Sequence, residues 1–473
     1  MEYNQLSAIQ SALLSGKLSM SNLVTSYLSN IEKSKFLNIY IDVYEDGILQ
    51  QAKTLDEKIA NKSSLGKCFG MVISVKDVIS HRGHLLTGAS KILEGFEAVY
   101  TATALQRLLD EDALVIGKVN CDQFGMGSSN ENSVYGPTKN ADDPDRTPGG
   151  SSGASAVSVQ ANTCLIALGS DTGGSVRQPA GFTGLFGLKP TYGRISRYGL
   201  IAYGSSFDQI GILGKNINDI SLALSLMAGI DNMDPTSVDI PTPSFEEISK
   251  DHNGKKWKIA YLAEALTHQG LDPEIKSAQI QLMNELEQNG HSCAPVDFEL
   301  LDYIVPTYYT LTTAEASTNL SRFDGIRYGL KVPRQEDLAK EITATRTAGF
   351  SEEVKKRIML GSFVLSSGYY DAYYNKAQKI RRLLKDRVDQ ILDEYDFILM
   401  PISPIPAWRI GMKQSNPTEM YLADIFTVLA NLVGTPAIAF PYGFHSNETK
   451  FGFQAISKSF SEEELLKFAI TYE

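Results

Sequence analysis

The sequence predicts a single large α/β domain, with a mixed central sheet covered by helices on both faces and a helical insertion in its C-terminal half. Three observations predict it. Short apolar runs of strand length, "GMVISVKD" (70–77), "NTCLIALGSD" (162–171), "WKIAYL" (257–262) and "FILMPI" (397–402), alternate with stretches of helical period. The closing runs "TPAIAF" (435–440) and "GFQAIS" (452–457) are as apolar as the first ones, so both halves share one sheet. With 473 residues, 43% hydrophobic and 21% charged, the chain can bury a large core.

The domain spans 1–473, and its elements follow in order. Leu23, Val24, Tyr27, Leu28 and Ile31 keep helical spacing, which places N-terminal docking helices over about 1–35. The strand at 70–77 ends on Lys76. Residues 101–120 read as helix then strand, with Thr101 as the N-cap. A strand over 162–171 and a helix over 216–231 come next. Three prolines mark a linker at about 231–246. Beyond it lie a strand, a helix over 272–290, a helical insertion at about 301–385 and three strands. Ser461 and Glu464 then form a capping box before the last helix.

A net charge of −11 argues against a protein that wraps nucleic acid by itself. The basic stretch "KIRRLLKDR" (379–387) reads as the solvated face of a helix. Cys68, Cys121, Cys164 and Cys293 lie far apart without metal spacing, so they read as reduced thiols. The N-terminus lacks a signal-peptide pattern and no apolar run reaches the ~18 residues of a membrane span, which places the protein in the cytoplasm. No metal cluster and no phosphate-loop motif occurs, so no cofactor is expected on this chain.

Residues 147–191 are dense in serine and glycine yet contain a buried-strand run, so they are not a flexible tether. "GGSSG" (149–153) matches G-x-S-x-G, but "DDPDRTP" before it is no strand, and a nucleophile elbow needs one. None of the six histidines (His81, His84, His252, His268, His291, His445) lies in a catalytic-looking context. Lysine is the alternative base. Lys76 follows an apolar strand, where burial would lower its pKa, although such a lysine can also simply reach for solvent. "GSDTGGSVRQPA" (169–180) offers the backbone N–H groups of Thr172, Gly173, Gly174 and Ser175 as an anion nest, with Ser175 where they converge.

These stretches resemble the amidase signature family, hydrolases of amide bonds with a Ser–Ser–Lys triad. Its D-x-G-x-S-x-R-x-P pattern matches Asp171, Gly173, Ser175, Arg177 and Pro179. The resemblance implies Ser175 as nucleophile, Ser151 as a second serine on a cis peptide, Lys76 as base, and Asp171 and Arg177 as loop supports. "MGSSNENSVYGP" (126–137), 314–329, 357–381 and 421–443 further resemble the glutamine-hydrolysing A subunits of glutamyl-tRNA(Gln) amidotransferases. That branch implies glutamine as substrate, Arg357 for its α-carboxylate, Asp424 for its α-ammonium, and Ser128 and Tyr308 as further contacts. It also implies the amidotransferase B and C subunits as partners, with ATP, Mg and Glu-tRNA(Gln) handled mainly by the partner.

Without the resemblance, Arg357 reads as a solvent-facing helix residue and Asp424 as a helix N-cap. Three departures from the family stand out: Ala154 for glycine, Gln123 for glutamate, and the tail after residue 443. Two rivals remain. One is a stand-alone amidase of small aliphatic or aryl amides; the other is a non-catalytic interaction subunit, against which the retained Lys76, Ser151 and Ser175 speak.

Overall fold

In the computed structural model, which describes residues 4–241, 254–412 and 423–473, eleven strands form one sheet. They are β1 (Tyr40–Val43), β2 (Val72–Lys76), β3 (Leu114–Val119), β4 (Ile166–Asp171), β5 (Phe186–Lys189), β6 (Gln209–Gly214), β7 (Lys258–Leu262), β8 (Ser292–Val296), β9 (Phe397–Pro401), β10 (Ala437–Phe444) and β11 (Lys450–Ser457). Their order is β1-β3-β2-β4-β6-β5-β10-β11-β9-β7-β8. β2 runs parallel to β3 and β4, and β7 runs parallel to β8 and β9. The middle of the sheet is antiparallel, and the halves meet where β5 pairs with β10. The sheet is mixed and shared, as the sequence predicts.

The period of two decides where the cores lie. Along β9, Phe397 and Leu399 enter one apolar core while Ile398 and Met400 enter the other. Both faces are therefore covered.

The covering helices are α1 (Leu6–Leu14), α2 (Met20–Lys33), α3 (Glu45–Ala60), α4 (Thr103–Leu109), α5 (Gly153–Gln160), α6 (Arg177–Thr183), α7 (Ile217–Met227), α8 (Ala263–Thr267) and α9 (Pro273–Gln288). The second half adds α10 (Leu301–Asn319), α11 (Leu338–Gly349), α12 (Glu352–Val364), α13 (Lys376–Glu394), α14 (Val428–Val433) and α15 (Glu462–Ala469). Caps set several starts: Ser19, Asn216 and Asp272 accept N–H groups from the first turns of α2, α7 and α9. From Leu301 to Glu394 the chain holds helices, with an irregular stretch at 323–337 and no strand, so the helical run continues beyond residue 385.

Three local expectations need correction. Thr101 does not cap α4; its hydroxyl accepts the N–H of Arg82, and the helix begins at Thr103. Ser461 stands at the N-cap of α15 without a side-chain cap, its ψ of 36° being off the extended value that aims a cap, and the Glu464 carboxylate of the expected box is drawn away to Lys255 and to Trp257 Nε1. The start of the proline-rich stretch is packed: Asp234, 4% exposed, accepts the N–H of Arg197, and Val238 donates its N–H to Gly193. Residues 242–246 of that stretch lie outside the described residues.

Candidate active site

Parallel pairing collects the chemistry at one edge of the sheet. β3, β2 and β4 are neighbours pointing the same way, so the loops after their C-terminal ends converge. β2 ends on Lys76, β3 leads into the loop at 120–130, and β4 leads into the turn at 172–176.

Lys76 is fully buried, and its Nζ stands 2.7 Å from Ser151 Oγ, 2.8 Å from Ser152 Oγ and 2.9 Å from Ser170 Oγ. Burial lowers its pKa to about 8, with Cys121 and Asp122 acting the other way. Ser152 donates its hydroxyl to the carbonyl of Ser170 at 3.1 Å, which commits that proton. Ser151, on the cis peptide after Gly150, has no such acceptor among the described residues, and neither has Ser170 Oγ, so both protons are free to face the amine lone pair. Ser152 and Ser170 were missed from the sequence, although both lie inside or beside the motifs that carry Ser151 and Asp171.

The turn at 172–176 is clamped from several sides. Asp171, Arg177, Asn431 and Gln454 form one buried network. Arg177 Nε donates to Asp171 at 3.1 Å, its Nη1 to Gln454 at 2.6 Å and its Nη2 to Asn431 at 2.7 Å. Burial would raise the Asp171 carboxyl, but Arg177 outweighs it and holds the pKa at about 2. The carboxylate accepts the N–H groups of Gly174 (2.8 Å) and Val176 (3.2 Å). Gly174 is therefore removed from the expected oxyanion donors, because its N–H is already taken. Thr172, Gly173 and Ser175 keep N–H groups without a protein acceptor among the described residues. A Cβ on Gly173 would meet Tyr308 Oη at 2.5 Å, which places that hydroxyl over the same turn. Ser175 is half-buried, and its carbonyl accepts the N–H of Ser152 at 3.1 Å.

Arg357 and Asp424 lie together rather than in solvent. Arg357 is 7% exposed; its Nε donates to Glu353 at 2.8 Å and its Nη1 to Tyr203 Oη at 2.7 Å. Asp424 caps no helix with its side chain; Oδ2 accepts from Ser128 Oγ at 2.8 Å and Tyr309 Oη at 3.1 Å. Tyr309 joins the two, since Arg357 also stands over its ring at 5.5 Å. Burial pushes the Asp424 carboxyl up to about 6, although Ser128, Tyr309 and Arg357 oppose it. A cation and an anion thus flank one tyrosine. Tyr203 and Tyr309 were not singled out from the sequence.

The histidines stand elsewhere. His81 and His84 stack together with His84 on Tyr44, His268 packs on Phe426, His291 on Trp257, and His445 meets Asp272. His252 lies outside the described residues.

Residues 22–466 match the family model described as Amidase. The chain belongs to the amidase family. It is 47% identical over 469 residues to the A subunit of the glutamyl-tRNA(Gln) amidotransferase of Chlorobium luteolum, covering 99% of this chain and 96% of the relative. The corresponding protein of Pelodictyon phaeoclathratiforme is 48% identical, with 99% and 98% covered. Among solved structures, the A subunit of the glutamyl-tRNA(Gln) amidotransferase of Thermotoga maritima superposes with a TM-score of 0.79 at 38% identity, covering 97% of this chain and 92% of that one. A 6-aminohexanoate cyclic dimer hydrolase shares the fold, with a TM-score of 0.86 at 22% identity over 100% and 97% of the chains.

Two departures from the amidase family pattern can be placed. The Ala154 methyl is absorbed by an apolar cluster with Leu37, Ile39, Val119 and Val157, and its N–H donates to Asn130 Oδ1. Gln123 accepts the N–H of Ser351 at 2.8 Å, at the start of the helix that carries Arg357, and its Nε2 is buried without a partner among the described residues. A glutamate there would add a negative charge at that helix N-terminus. Among the described residues no helix is long and apolar enough to cross a membrane, and no group of three metal-ligating side chains occurs.

Proposed function

We propose that this chain is the ammonia-producing glutaminase subunit of a tRNA-dependent amidotransferase. Glutamine would lie with its α-carboxylate at Arg357, its α-ammonium at Asp424 and its side-chain amide at Ser175, with Ser128 and Tyr308 lining the same space. Ser175 Oγ attacks the amide carbon and forms a C–O bond. Its proton passes to Ser151, and the Ser151 proton passes to the neutral amine of Lys76. Negative charge gathers on the former carbonyl oxygen, where the N–H groups of Thr172, Gly173 and Ser175 receive it. Lys76 returns the proton through Ser151 to the leaving nitrogen, the C–N bond breaks and ammonia departs. Water, deprotonated by the same relay, then hydrolyses the glutamyl ester on Ser175 and releases glutamate.

The observation that carries glutamine over a simple amide is the buried Arg357–Tyr309–Asp424 arrangement, because an amide without charges needs neither ion. In this reading the ammonia passes to the B subunit of the amidotransferase, which is assembled with the C subunit. That B partner handles ATP, Mg and Glu-tRNA(Gln) and makes Gln-tRNA(Gln). The relatives at 47–48% identity, named as the A subunit of glutamyl-tRNA(Gln) amidotransferase, support the reading.

The test is ammonia release from glutamine, asparagine and small aliphatic and aryl amides, with and without the partner subunits, ATP and Glu-tRNA. A strong preference for glutamine that rises in the assembled complex supports the reading. Rapid hydrolysis of simple amides with indifference to glutamine would hand the function to a stand-alone amidase. Ser175→Ala and Lys76→Ala are each expected to abolish turnover, while Ser151→Ala leaves a small residue; full activity in Ser175→Ala would sink the assignment.

A further inference from the structure

The loop from Tyr203 to Asp208 joins two parts of the site that belong to different elements. Asp208 is 2% exposed, and its carboxylate receives donors from both sides. Thr172, on the oxyanion turn, donates Oγ1–H to Oδ1 at 2.6 Å, and Gly204 donates its N–H to the same oxygen at 3.1 Å. Tyr203 donates its N–H to Oδ2 at 2.8 Å. The Tyr203 hydroxyl in turn accepts from Arg357 Nη1 at 2.7 Å, and the Arg357 guanidinium lies 5.7 Å from the Tyr203 ring centroid.

We propose that Asp208 is a positioning residue whose carboxylate sets the spacing between the oxyanion turn and the arginine that receives the substrate carboxylate. The proposal rests on the glutaminase reading of the site. Glutamine has a fixed reach from its side-chain amide to its α-carboxylate, so both ends are held correctly only if Thr172 and Arg357 keep their separation. The far side of the loop is already anchored. Asn319 donates to the Tyr203 carbonyl at 3.1 Å, Ser206 donates N–H and Oγ–H to Glu315 at 2.8 and 2.5 Å, and Arg381 donates to Ser206. These contacts fix the loop on α10 and α13, and Asp208 ties that assembly to the turn after β4. An acceptor-only group suits the task. Asparagine has the same shape, but its amide nitrogen would face the N–H of Tyr203 or the donors from Thr172 and Gly204. Burial raises the Asp208 carboxyl to about 6, so it is an ion at neutral pH.

The experiment measures kcat and KM on the assembled complex for L-glutamine and for 4-aminobutanamide, which lacks the α-carboxylate. For Asp208→Asn the expected result is a KM for glutamine about tenfold higher and a kcat about tenfold lower, whereas 4-aminobutanamide loses in kcat alone. Adding Tyr203→Phe should raise the glutamine KM no further, because both changes act on one path. Equal losses on both substrates, multiplying KM effects in the double variant, or wild-type kinetics in Asp208→Asn would overturn the proposal. If Asp208→Asn does not fold, Thr172→Val and Thr172→Ser serve instead. Valine should raise the glutamine KM and serine should restore it, and an unchanged KM in the valine variant overturns the proposal equally. A wild-type complex that releases no ammonia from glutamine would remove the functional reading itself; a glutamine-active wild type with any overturning pattern removes the Asp208 role alone.

Discussion

At the scale of single residues, the lysine is where pH enters. Lys76 has its pKa lowered to about 8 by burial, so the amine loses its proton as pH rises through that value and the base form accumulates. At pH 7 about a tenth of the chains hold the neutral base, and at pH 6 about a hundredth. The kcat/KM for glutamine should therefore rise about tenfold per pH unit below 8 and level off above it. Lys76→Arg keeps a positive charge but no usable base at these pH values, and should be inactive across the whole range. A flat profile between pH 6 and 8 would refute the lysine's role. Asp424 steepens the same acid limb. Its carboxyl, raised by burial to about 6, is protonated as pH falls through that value and then offers no anion to an ammonium. The glutamine KM should climb below about pH 6, and Asp424→Asn should carry a high KM at every pH with a smaller effect on kcat. A KM that ignores both acidification and Asp424→Asn would exclude contact with the substrate ammonium.

At the scale of elements, the turn after β4 depends on partners far along the chain. Gly174 has φ +117°, and a Cβ there would overlap Thr427 Oγ1, whose hydroxyl donates to the Gly173 carbonyl at 2.8 Å. Behind the turn, Arg177 and Asp171 are both wholly buried. Replacing Arg177 with leucine leaves a carboxylate in the interior without its counter-charge, a change that typically costs about 3–5 kcal/mol. The expected result is a markedly lower urea midpoint together with loss of turnover, and an unchanged midpoint would show that Asn431 and the turn N–H groups suffice. The motif residues Lys76, Ser151 and Ser175 were legible because they sit in short, unusual local patterns. Tyr203, Asp208 and Tyr309 were not, since only strand pairing and helix packing bring them to the site across tens to hundreds of residues, and Ser170, though beside Asp171, meets Lys76 only through the pairing of β2 with β4. The misplaced caps have the same cause. Thr101 and Glu464 have suitable types and spacing, but Arg82, Lys255 and Trp257 engage them first. Prolines at 235 and 241 suggested an unpacked linker, yet the carboxylates of Asp231 and Asp234 bind Ser196 and Arg197 and fasten it down.

At the scale of the whole molecule, the sheet divides the site between two halves of the chain. Lys76, Ser151, Ser175 and the Asp208 loop come from the first six strands and their connections. Arg357, Asp424, Thr427 and Asn431 come from the second half, which joins the first through the β5–β10 ladder and the Arg177 network. A nucleophile without its clamp, and an anchor without its nucleophile, follow from any separation. Polypeptides 1–241 and 254–473 expressed apart should each lack a cooperative thermal transition, because each uncovers the buried edge, Gly187–Lys189 of β5 or Ala437–Ala439 of β10, that the other pairs with. Expressed together they should pair through that ladder and recover part of the ammonia release from glutamine. The decisive comparison is the co-expressed pair against the pair carrying Arg177→Leu, in which the buried tie across the seam is cut. Recovery in the first and loss in the second would show that the seam assembles the site. A cooperative transition in 254–473 alone would show instead that the second half is an independent domain and that the shared sheet is not needed to build it.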